Sequence, residues 1–342
     1  MKAIQIREPG GLERLELVDL PSPEPGAGQV RVRVAACGVC YRDLLDREGK
    51  YPFMRRPVVT GHELAGEVVA VGPGVSLAVG DRVATVHRPP CGSCAMCARG
   101  EETHCLGSPI SYGLTTDGGY AEECLLWEAS AVKVPAALPL EQACFLHCTA
   151  AVALRALRHH ARLGAGHTVI VTGASGGVGV HGMQVAKILG ARVIAVTSSE
   201  AKAALLRQHG ADEVIVSAGE FHKQAMAMTG GGADVALDLV GAPTFNSSLR
   251  SLAFGGRLAL VGNVTASRVE LNPGYAILRE LSVHGSSGAT RAELGEVLAW
   301  AAEGKLKPVI AERWPLREAR AAQERLLQRG VVGRQILTCS GG

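Results

Sequence analysis

The chain has 342 residues, of which 47% are apolar and 20% are charged, with a formal net charge of +3. This length exceeds what one hydrophobic core usually organises, so we expect two domains. The small, dispersed positive charge does not favour nucleic-acid binding, which needs a clustered basic face. The sequence shows no signal peptide and no apolar run of about 18 residues, so we expect a cytoplasmic protein that does not enter the membrane.

The N-terminal part of the chain predicts a β domain. Residues 29–34 alternate between polar and apolar side chains, and residues 67–71 and 81–86 continue as strand-like segments between Pro/Gly turns. Short strands separated by such turns indicate a barrel-like arrangement.

Metal-binding side chains occur at two places in this part. Cys40 and the pair His62 and Glu63 lie close to predicted strands, and Cys148 lies downstream. Two thiolates and an imidazole can fill three corners of a zinc tetrahedron and leave one corner open for chemistry. Taken alone, His62 or Cys148 is more often a core residue than a ligand, so the prediction depends on their occurring together with Gly61 and Glu63.

A second cysteine motif has the spacing Cys-x2-Cys-x2-Cys-x7-Cys on a Gly- and Pro-rich loop, at Cys91, Cys94, Cys97 and Cys105. Four closely spaced thiolates can surround one tetrahedral zinc ion and leave no position for water. The alternative is a set of unliganded or disulfide-bonded cysteines, which is less typical of an intracellular chain. We therefore predict a structural zinc lobe at about residues 88–106.

From about residue 150 the sequence alternates predicted strands and helices. About six strands follow one another with helices between them, which predicts a doubly wound parallel sheet. The first strand leads into Gly173, Gly176 and Gly179 at the start of an amphipathic helix. A glycine-rich turn in this position typically binds the phosphates of a dinucleotide.

We predict cofactor contacts in this turn and after later strands, at Gly173, Ser175, Gly176, Gly177, Val178, Gly179, Ser198, Lys202, Gly262 and Asn263. The end of the second strand selects NAD or NADP, because a carboxylate there would repel a 2′-phosphate. Ser198 and Lys202 favour NADPH. Glu200 leaves NADH as the alternative cofactor, and the two serines at 198 and 199 could instead cap the helix.

Gly61-His62-Glu63, followed by Gly66, Gly72 and Val75, resembles the signature of zinc-containing medium-chain dehydrogenases/reductases, and the resemblance covers essentially the whole chain. It implies an α/β fold with a GroES-like β-barrel catalytic domain at 1–149 and 289–342 and a Rossmann coenzyme domain at 150–288. It also implies two zinc ions per chain, one catalytic and one structural. A homodimer or homotetramer is expected, in which the strand at 281–285 pairs across a two-fold axis.

The resemblance assigns the catalytic zinc to Cys40, His62 and Cys148, with Glu63 as a fourth ligand that exchanges with water or substrate. Asp43 would accept the distal N–H of His62 and so fix its tautomer.

Within that family, the run from Cys40 to Leu45 most resembles acryloyl-CoA reductases and related enoyl-thioester reductases, among them the dimethylacryloyl-CoA reductases. Alcohol dehydrogenases of the family usually carry Ser or Thr where this chain has Arg42, and often His where it has Leu45. Neither Arg42 nor Leu45 can relay a proton. We therefore predict NAD(P)H-dependent reduction of the C=C bond of a short or branched unsaturated acyl-CoA, such as acryloyl-, crotonyl- or 3-methylcrotonyl-CoA, the last giving isovaleryl-CoA, with zinc polarising the thioester carbonyl.

Two side chains are candidates for the remaining chemistry. Arg42 could stabilise the thioester oxygen or a phosphate, and Tyr41 could donate the proton. Equally, Arg42 could pair with a neighbouring carboxylate or contact the cofactor pyrophosphate. A basic stretch weakly supports coenzyme A binding but could be a solvated mixed-charge face; it comprises Arg42, Arg47, Lys50, Arg55 and Arg56. The alternative functions are a zinc-dependent alcohol dehydrogenase or aldehyde reductase and, from another class, a non-catalytic dinucleotide-binding protein.

Overall fold

A computed structural model describes residues 1–50 and 53–339. The chain divides into two compact units. The first contains the described residues of Met1–Cys148, Gly288–Gly304 and Ile310–Gly342, and the second contains Thr149–Ser287 and Lys305–Val309. The sequence placed residues 305–309 in the catalytic domain, whereas they lie in the second unit. There Gln184 Oε1 accepts a hydrogen bond from the backbone of Lys307 at 2.7 Å.

The first part of the chain forms short strands and three short α-helices. The strands are β1 Lys2–Ile6, β2 Glu16–Asp19, β3 Gln29–Val39, β4 Val58–Val59, β5 Leu64–Val71, β6 Arg82–Thr85, β7 Glu123–Trp127 and β8 Ala131–Lys133. The helices are α1 Tyr41–Arg47, α2 Ala95–Ala98 and α3 Leu140–Ala143, with 3₁₀ turns at Leu12–Arg14, Glu102–His104 and Glu128–Ser130.

Strand β3 is the centre of the first unit. Its apolar residues Val30, Val32 and Val34 recur with period two and are fully buried. It pairs antiparallel with β5 and with β7. Because β3 and β5 are neighbours, residues at the end of β3 lie close to residues at the start of β5.

The second unit is built from alternating strands and helices. A π-helical turn at His147–Ala151 leads into α4 Val152–Leu154 and a second π-helical segment, Arg155–His160. The strands that follow are β9 Thr168–Val171, β10 Arg192–Thr197, β11 Glu213–Val216, β12 Ala233–Asp238, β13 Leu252–Leu260 and β14 Ser282–Gly285. The helices are α5 Gly177–Ile188, α6 Ala203–Gln208 after a 3₁₀ turn at Glu200–Lys202, α7 His222–Thr229, α8 Ala242–Arg250 and α9 Pro273–Leu278.

These six strands form one sheet in the order β11-β10-β9-β12-β13-β14. Every neighbouring pair is parallel. The order reverses between β9 and β12, which is where doubly wound sheets bind dinucleotides. The predicted Rossmann sheet is therefore confirmed.

The tail of the chain returns to the first unit. It contains α10 Arg291–Ala302, β15 Ile310–Pro315, a 3₁₀ turn at Leu316–Glu318, α11 Ala319–Leu327 and β16 Arg334–Thr338. Strand β16 pairs antiparallel with β3, and the sheet runs β15-β16-β3-β5-β6-β8, with β7 also paired to β3. Within the described ranges, no helix is both long enough and apolar enough to cross a bilayer.

Candidate metal centres and coenzyme site

The four-cysteine motif folds into a compact cluster. Cys94 caps α2, Cys97 lies within α2, and Cys105 follows a 3₁₀ turn. The Sγ atoms of Cys94 and Cys97 are 3.6 Å apart, and those of Cys91 and Cys97 are 4.0 Å apart. Zinc bonded tetrahedrally to four thiolates holds the sulfur atoms about 3.8 Å apart, so the donor set fits this metal. The backbone N–H of Cys97 lowers the pKa of Cys94 to about 5, which favours the thiolate.

A second group of donors forms where β3 ends and β5 begins. Cys40 follows β3 and caps α1, while His62 and Glu63 precede β5. Cys37 lies opposite Leu64 in the antiparallel register. Ligand atoms of Cys40, His62 and Glu63 all lie within 4.8 Å of one another. A thiolate, an imidazole and a carboxylate at this separation suit a zinc ion.

Asp43 organises this second group. Its Oδ1 lies 2.8 Å from His62 Nδ1, and its Oδ2 accepts hydrogen bonds from the backbone N–H of Cys40 at 2.9 Å and from the Tyr120 hydroxyl at 3.0 Å. Burial is the largest single effect and lowers the pKa of His62, but the charge and hydrogen bond of Asp43, together with Cys148, raise that pKa well above its usual range. Since Nδ1 donates to Asp43, Nε2 is the ring nitrogen that a metal would bind, with release of its proton.

Glu63 is buried against an arginine that is distant in sequence. Its Oε1 lies 3.2 Å from Nη2 of Arg334 on β16. The same guanidinium donates from Nη1 to the carbonyl of Val39 at 3.3 Å. Burial raises the pKa of the Glu63 carboxyl, while Arg334 and His62 oppose that rise. Neither Glu63 oxygen has a hydrogen-bond partner among the described residues, as expected for a carboxylate that can bind a cation.

The remaining predicted inner ligand, Cys148, falls in a neighbouring group with His87 and His147, whose ligand atoms also lie within 4.8 Å of one another. His62 interacts electrostatically with the Cys148 thiol and works against the rise in its pKa that burial causes, which links the two groups. Burial lowers the pKa of His147 to about 4 and that of His87 well below its usual range, so both rings are neutral at neutral pH.

Arg42 is held by two contacts. Its Nε lies 3.2 Å from Asp46 Oδ2, one turn along α1, and its Nη2 donates to Ser111 Oγ at 3.2 Å. The ion pair with a neighbouring carboxylate, weighed as an alternative, is therefore present. Arg42 also interacts electrostatically with Cys40 and Cys148. Tyr41 precedes it at the start of α1 and is half-buried.

The basic stretch does not form one exposed patch, and this corrects the suggestion of a phosphate-binding cluster. Arg47 is buried and donates to the carbonyl of Gly10 at 3.1 Å and to Gln323 Oε1 at 2.6 Å. Arg55 pairs with Asp117. The contacts of Arg47 stabilise the interior of the first unit and leave its charge unavailable to an external ligand.

The glycine loop joins β9 to α5. Gly173 has φ +59°, a conformation that side chains rarely adopt, and Gly176 caps α5. A Cβ on Gly179 would lie 2.6 Å from Ala174 Cα and would also clash with the Gly173 carbonyl. The helix therefore packs directly on the loop, and its first turn, with Gly177 and Val178, presents backbone N–H groups as dinucleotide-binding turns do.

The other predicted cofactor residues follow strands of the same sheet. Lys202 Nζ lies 3.4 Å from Ser175 Oγ, which brings a cation to the glycine loop. Ser198 follows β10 and is exposed. Gly262 and Asn263 follow β13 and approach the turn after β12, where a Cβ on Gly241 would lie 2.9 Å from the Gly262 carbonyl oxygen. The carboxyl ends of β9, β10 and β13 thus carry all the predicted cofactor positions.

Several residues of the first unit's site were missed from the sequence, namely His87, His147, Ser111, Asp46 and Arg334. His147 is adjacent to Cys148, and His87 lies four residues before Cys91, so these two carried a weak local signal. Arg334 carried none, because only the return of β16 to β3 brings it to Glu63.

Comparison with known proteins gives a consistent result. The family model described as alcohol dehydrogenase GroES-like domain matches residues 26–136, and that described as zinc-binding dehydrogenase matches residues 177–303. The chain is 41% identical over 340 residues to acryloyl-coenzyme A reductase of Metallosphaera sedula, covering 99% of this chain and 100% of the relative. It is 43% identical to AibC, whose crystal structure has a TM-score of 0.94, covering 100% of this chain and 96% of that chain.

A crystal structure of an NAD-dependent alcohol dehydrogenase is 36% identical, with a TM-score of 0.94 and coverage of 99% of this chain and 100% of that chain. The chain therefore belongs to the family of zinc-type medium-chain dehydrogenases/reductases, which are oxidoreductases. Within the family it lies on the acryloyl-CoA reductase-like branch. This membership implies zinc, a nicotinamide dinucleotide and a small-molecule substrate.

Proposed function

We propose that this protein reduces the C=C bond of a short or branched α,β-unsaturated acyl-CoA with NADPH. Acryloyl-, crotonyl- and 3-methylcrotonyl-CoA are the candidate substrates, and 3-methylcrotonyl-CoA would give isovaleryl-CoA. The likeness to acryloyl-coenzyme A reductase over the whole chain supports this substrate class.

The observation that carries the proposal is the fixed position of Arg42. Its guanidinium is held by Asp46 and Ser111 and interacts with the thiols of Cys40 and Cys148. Reduction of an enoyl thioester builds negative charge on the thioester oxygen, and a preorganised cation stabilises such charge. Arginine does not release its proton at usable pH, so the same residue cannot serve an alcohol-to-solvent relay.

The chain's own residues would then act as follows. Arg42 donates hydrogen bonds to the thioester oxygen as its charge increases, and Tyr41 is the candidate donor of the proton that goes to the α-carbon. Asp43 keeps the His62 ring in one tautomer, and the ion pair with Arg334 keeps Glu63 near the thiol of Cys40. When bound, zinc supplies Lewis-acid polarisation of the thioester carbonyl, and NADPH supplies the hydride for the β-carbon.

We assign the catalytic zinc to Cys40, His62 and Cys148 with Glu63 as an exchangeable ligand, and the structural zinc to the four-cysteine lobe. The contact between Lys202 and Ser175 supports a preference for NADPH, because a cation beside the glycine loop suits the 2′-phosphate. Glu200, in the same 3₁₀ turn, is exposed and would favour NADH if it faced the ribose.

We further propose a homo-oligomer formed through the edge of the second unit's sheet. Among the residues that the structure describes, strand β14 pairs with β13 alone, and Val283 on β14 is 41% exposed. Two further apolar side chains of this unit, Phe254 at 73% and Leu278 at 78%, are largely exposed. An apolar edge strand is a natural site for pairing with a second copy.

The alternative function is a zinc-dependent alcohol dehydrogenase or aldehyde reductase. The likeness to an NAD-dependent alcohol dehydrogenase favours it, whereas Arg42 and Leu45 do not.

The test is cofactor oxidation by zinc-loaded protein, with NADPH or NADH against the three enoyl-CoA thioesters and a panel of simple aldehydes. We expect only the thioesters to consume cofactor, and NADPH faster than NADH. Consumption with the aldehydes alone would overturn the proposal in favour of the alternative, and no turnover with any substrate would favour a non-catalytic protein.

A further inference from the structure

His87 and His147 have no role in the proposed chemistry. They lie in the first unit beside Cys148, and the ligand atoms of the three residues form one group. We propose that they form a second metal position, which shares the Cys148 thiolate with the zinc position at Cys40, His62 and Glu63. Imidazole and thiolate donors together suit a borderline transition-metal ion, with Zn²⁺ the first candidate. The inference rests on the proposed function only for the assignment of the first zinc ion.

The contacts of His147 fix which of its nitrogens can bind a metal. Its Nε2 lies 3.2 Å from the carbonyl oxygen of Ala289. A carbonyl only accepts hydrogen bonds, so Nε2 carries the proton and Nδ1 keeps its lone pair. That lone pair faces Cys148, with Nδ1 and Sγ 3.4 Å apart. A nitrogen and a sulfur bound to one tetrahedral zinc ion lie about 3.5 Å apart, so the pair already has the spacing of two ligands.

His87 supplies the third donor. Its ring centroid lies 5.3 Å from that of His147, and its ligand atom belongs to the same group. Its Nδ1 is buried and has no hydrogen-bond partner within the described part of the chain. Leaving a buried nitrogen without a partner is unfavourable, and a metal ion is one partner that would satisfy it.

Counting donors gives each position three fixed protein ligands. In the first position these are Cys40, His62 and the shared Cys148, because Glu63 is an exchangeable ligand there. In the second they are His87, His147 and Cys148. A zinc position with three fixed protein ligands keeps a place for a small oxygen ligand, as in catalytic sites.

The test is the metal content of the full-length protein after equilibration with excess buffered Zn²⁺, measured by elemental mass spectrometry. We expect wild type to hold one zinc ion more than His87→Phe, which preserves ring size but removes both nitrogens. The matched control is His209→Phe. His209 caps α6 in the second unit and does not belong to the proposed donor group, so the zinc content of this variant should equal that of wild type. Equal zinc content in wild type and His87→Phe overturns the inference.

A second measurement needs no variant and so does not depend on whether His87→Phe folds. X-ray absorption of zinc-loaded wild type is expected to show metal–metal scattering at about 3.5–4 Å, the spacing of two-metal sites. Its absence overturns the inference. Cys40→Ala separates this result from the proposed function. Loss of zinc from Cys40→Ala together with equal content in His87→Phe would leave the first zinc assigned and reject the second.

Discussion

At the scale of single residues, the first unit contains a buried ion pair between Glu63 and Arg334. Both side chains are almost fully excluded from solvent. A charge in such a place depends on its partner, because removal of one member leaves the other desolvated and uncompensated. The pair also holds the carboxylate close to Cys40 and His62.

Arg334→Met should therefore lower the free energy of unfolding by about 3–5 kcal/mol. The matched control is Arg313→Met, because Arg313 pairs with Glu141 on the exposed surface, and its effect should stay within about 1 kcal/mol. The measurement is urea unfolding of metal-free protein. The double variant Glu63→Gln/Arg334→Met should recover part of the loss, and a double variant as unstable as Arg334→Met alone would contradict the account.

Arg42→Thr should lower kcat/KM for the enoyl-CoA by about 100-fold, because it removes a preorganised donor from the reacting oxygen. Zinc content and the KM for NADPH should not change. Arg33→Thr is the control, since Arg33 is exposed and pairs with Glu67 on the same unit. Unchanged enoyl reduction in Arg42→Thr would remove Arg42 from the mechanism.

At the scale of elements, local sequence patterns predict the bounds of a strand where the structure depends on that segment alone. The sequence pattern predicts strands at residues 192–197 and 334–338, and β10 and β16 have these bounds. The sequence pattern predicts a strand at residues 256–261, but β13 begins earlier, at Leu252, because the strand continues through Gly255 at φ +70° with a shift in register against β12. Helix α1 was not predicted, since its start is set by the capping contacts of Cys40 and Asp43.

The same contrast between local patterns and contacts of distant residues applies to the candidate site. The glycine loop and the four-cysteine lobe were predicted, because each lies within a short segment whose spacing dictates its geometry. The contact of Arg334 with Glu63 and the grouping of His87 with Cys148 depend on strands and turns that meet only in the folded unit. No periodicity within a single segment could have shown them.

Lys202→Ala tests the proposed preference for NADPH, which we assign to the turn after β10. Removal of the cation near Ser175 should raise the KM for NADPH by about 10-fold or more and leave the KM for NADH unchanged. Lys187→Ala is the control, because Lys187 on α5 pairs with Asp212 at the surface. An equal change for both cofactors would contradict a role in 2′-phosphate recognition.

At the scale of the whole molecule, the exposed edge of the parallel sheet bears on assembly. Val283→Arg places a charge on β14 and should convert the proposed homo-oligomer to a monomer, since charged residues on edge strands prevent pairing. Size-exclusion chromatography with light scattering measures the mass. Val216→Arg is the control, because Val216 is similarly exposed, at 37%, on β11 at the opposite edge. A wild-type protein that is already monomeric would reject the proposed assembly.

The most direct test of the central claim follows the hydride itself. Zinc-loaded protein is given NADPH deuterated at the transferred position together with 3-methylcrotonyl-CoA and a simple aldehyde in one reaction, and the products are analysed by mass spectrometry. The account predicts isovaleryl-CoA with deuterium on the β-carbon and unchanged aldehyde. A deuterated alcohol alongside unreacted 3-methylcrotonyl-CoA would contradict it and assign the site to carbonyl reduction.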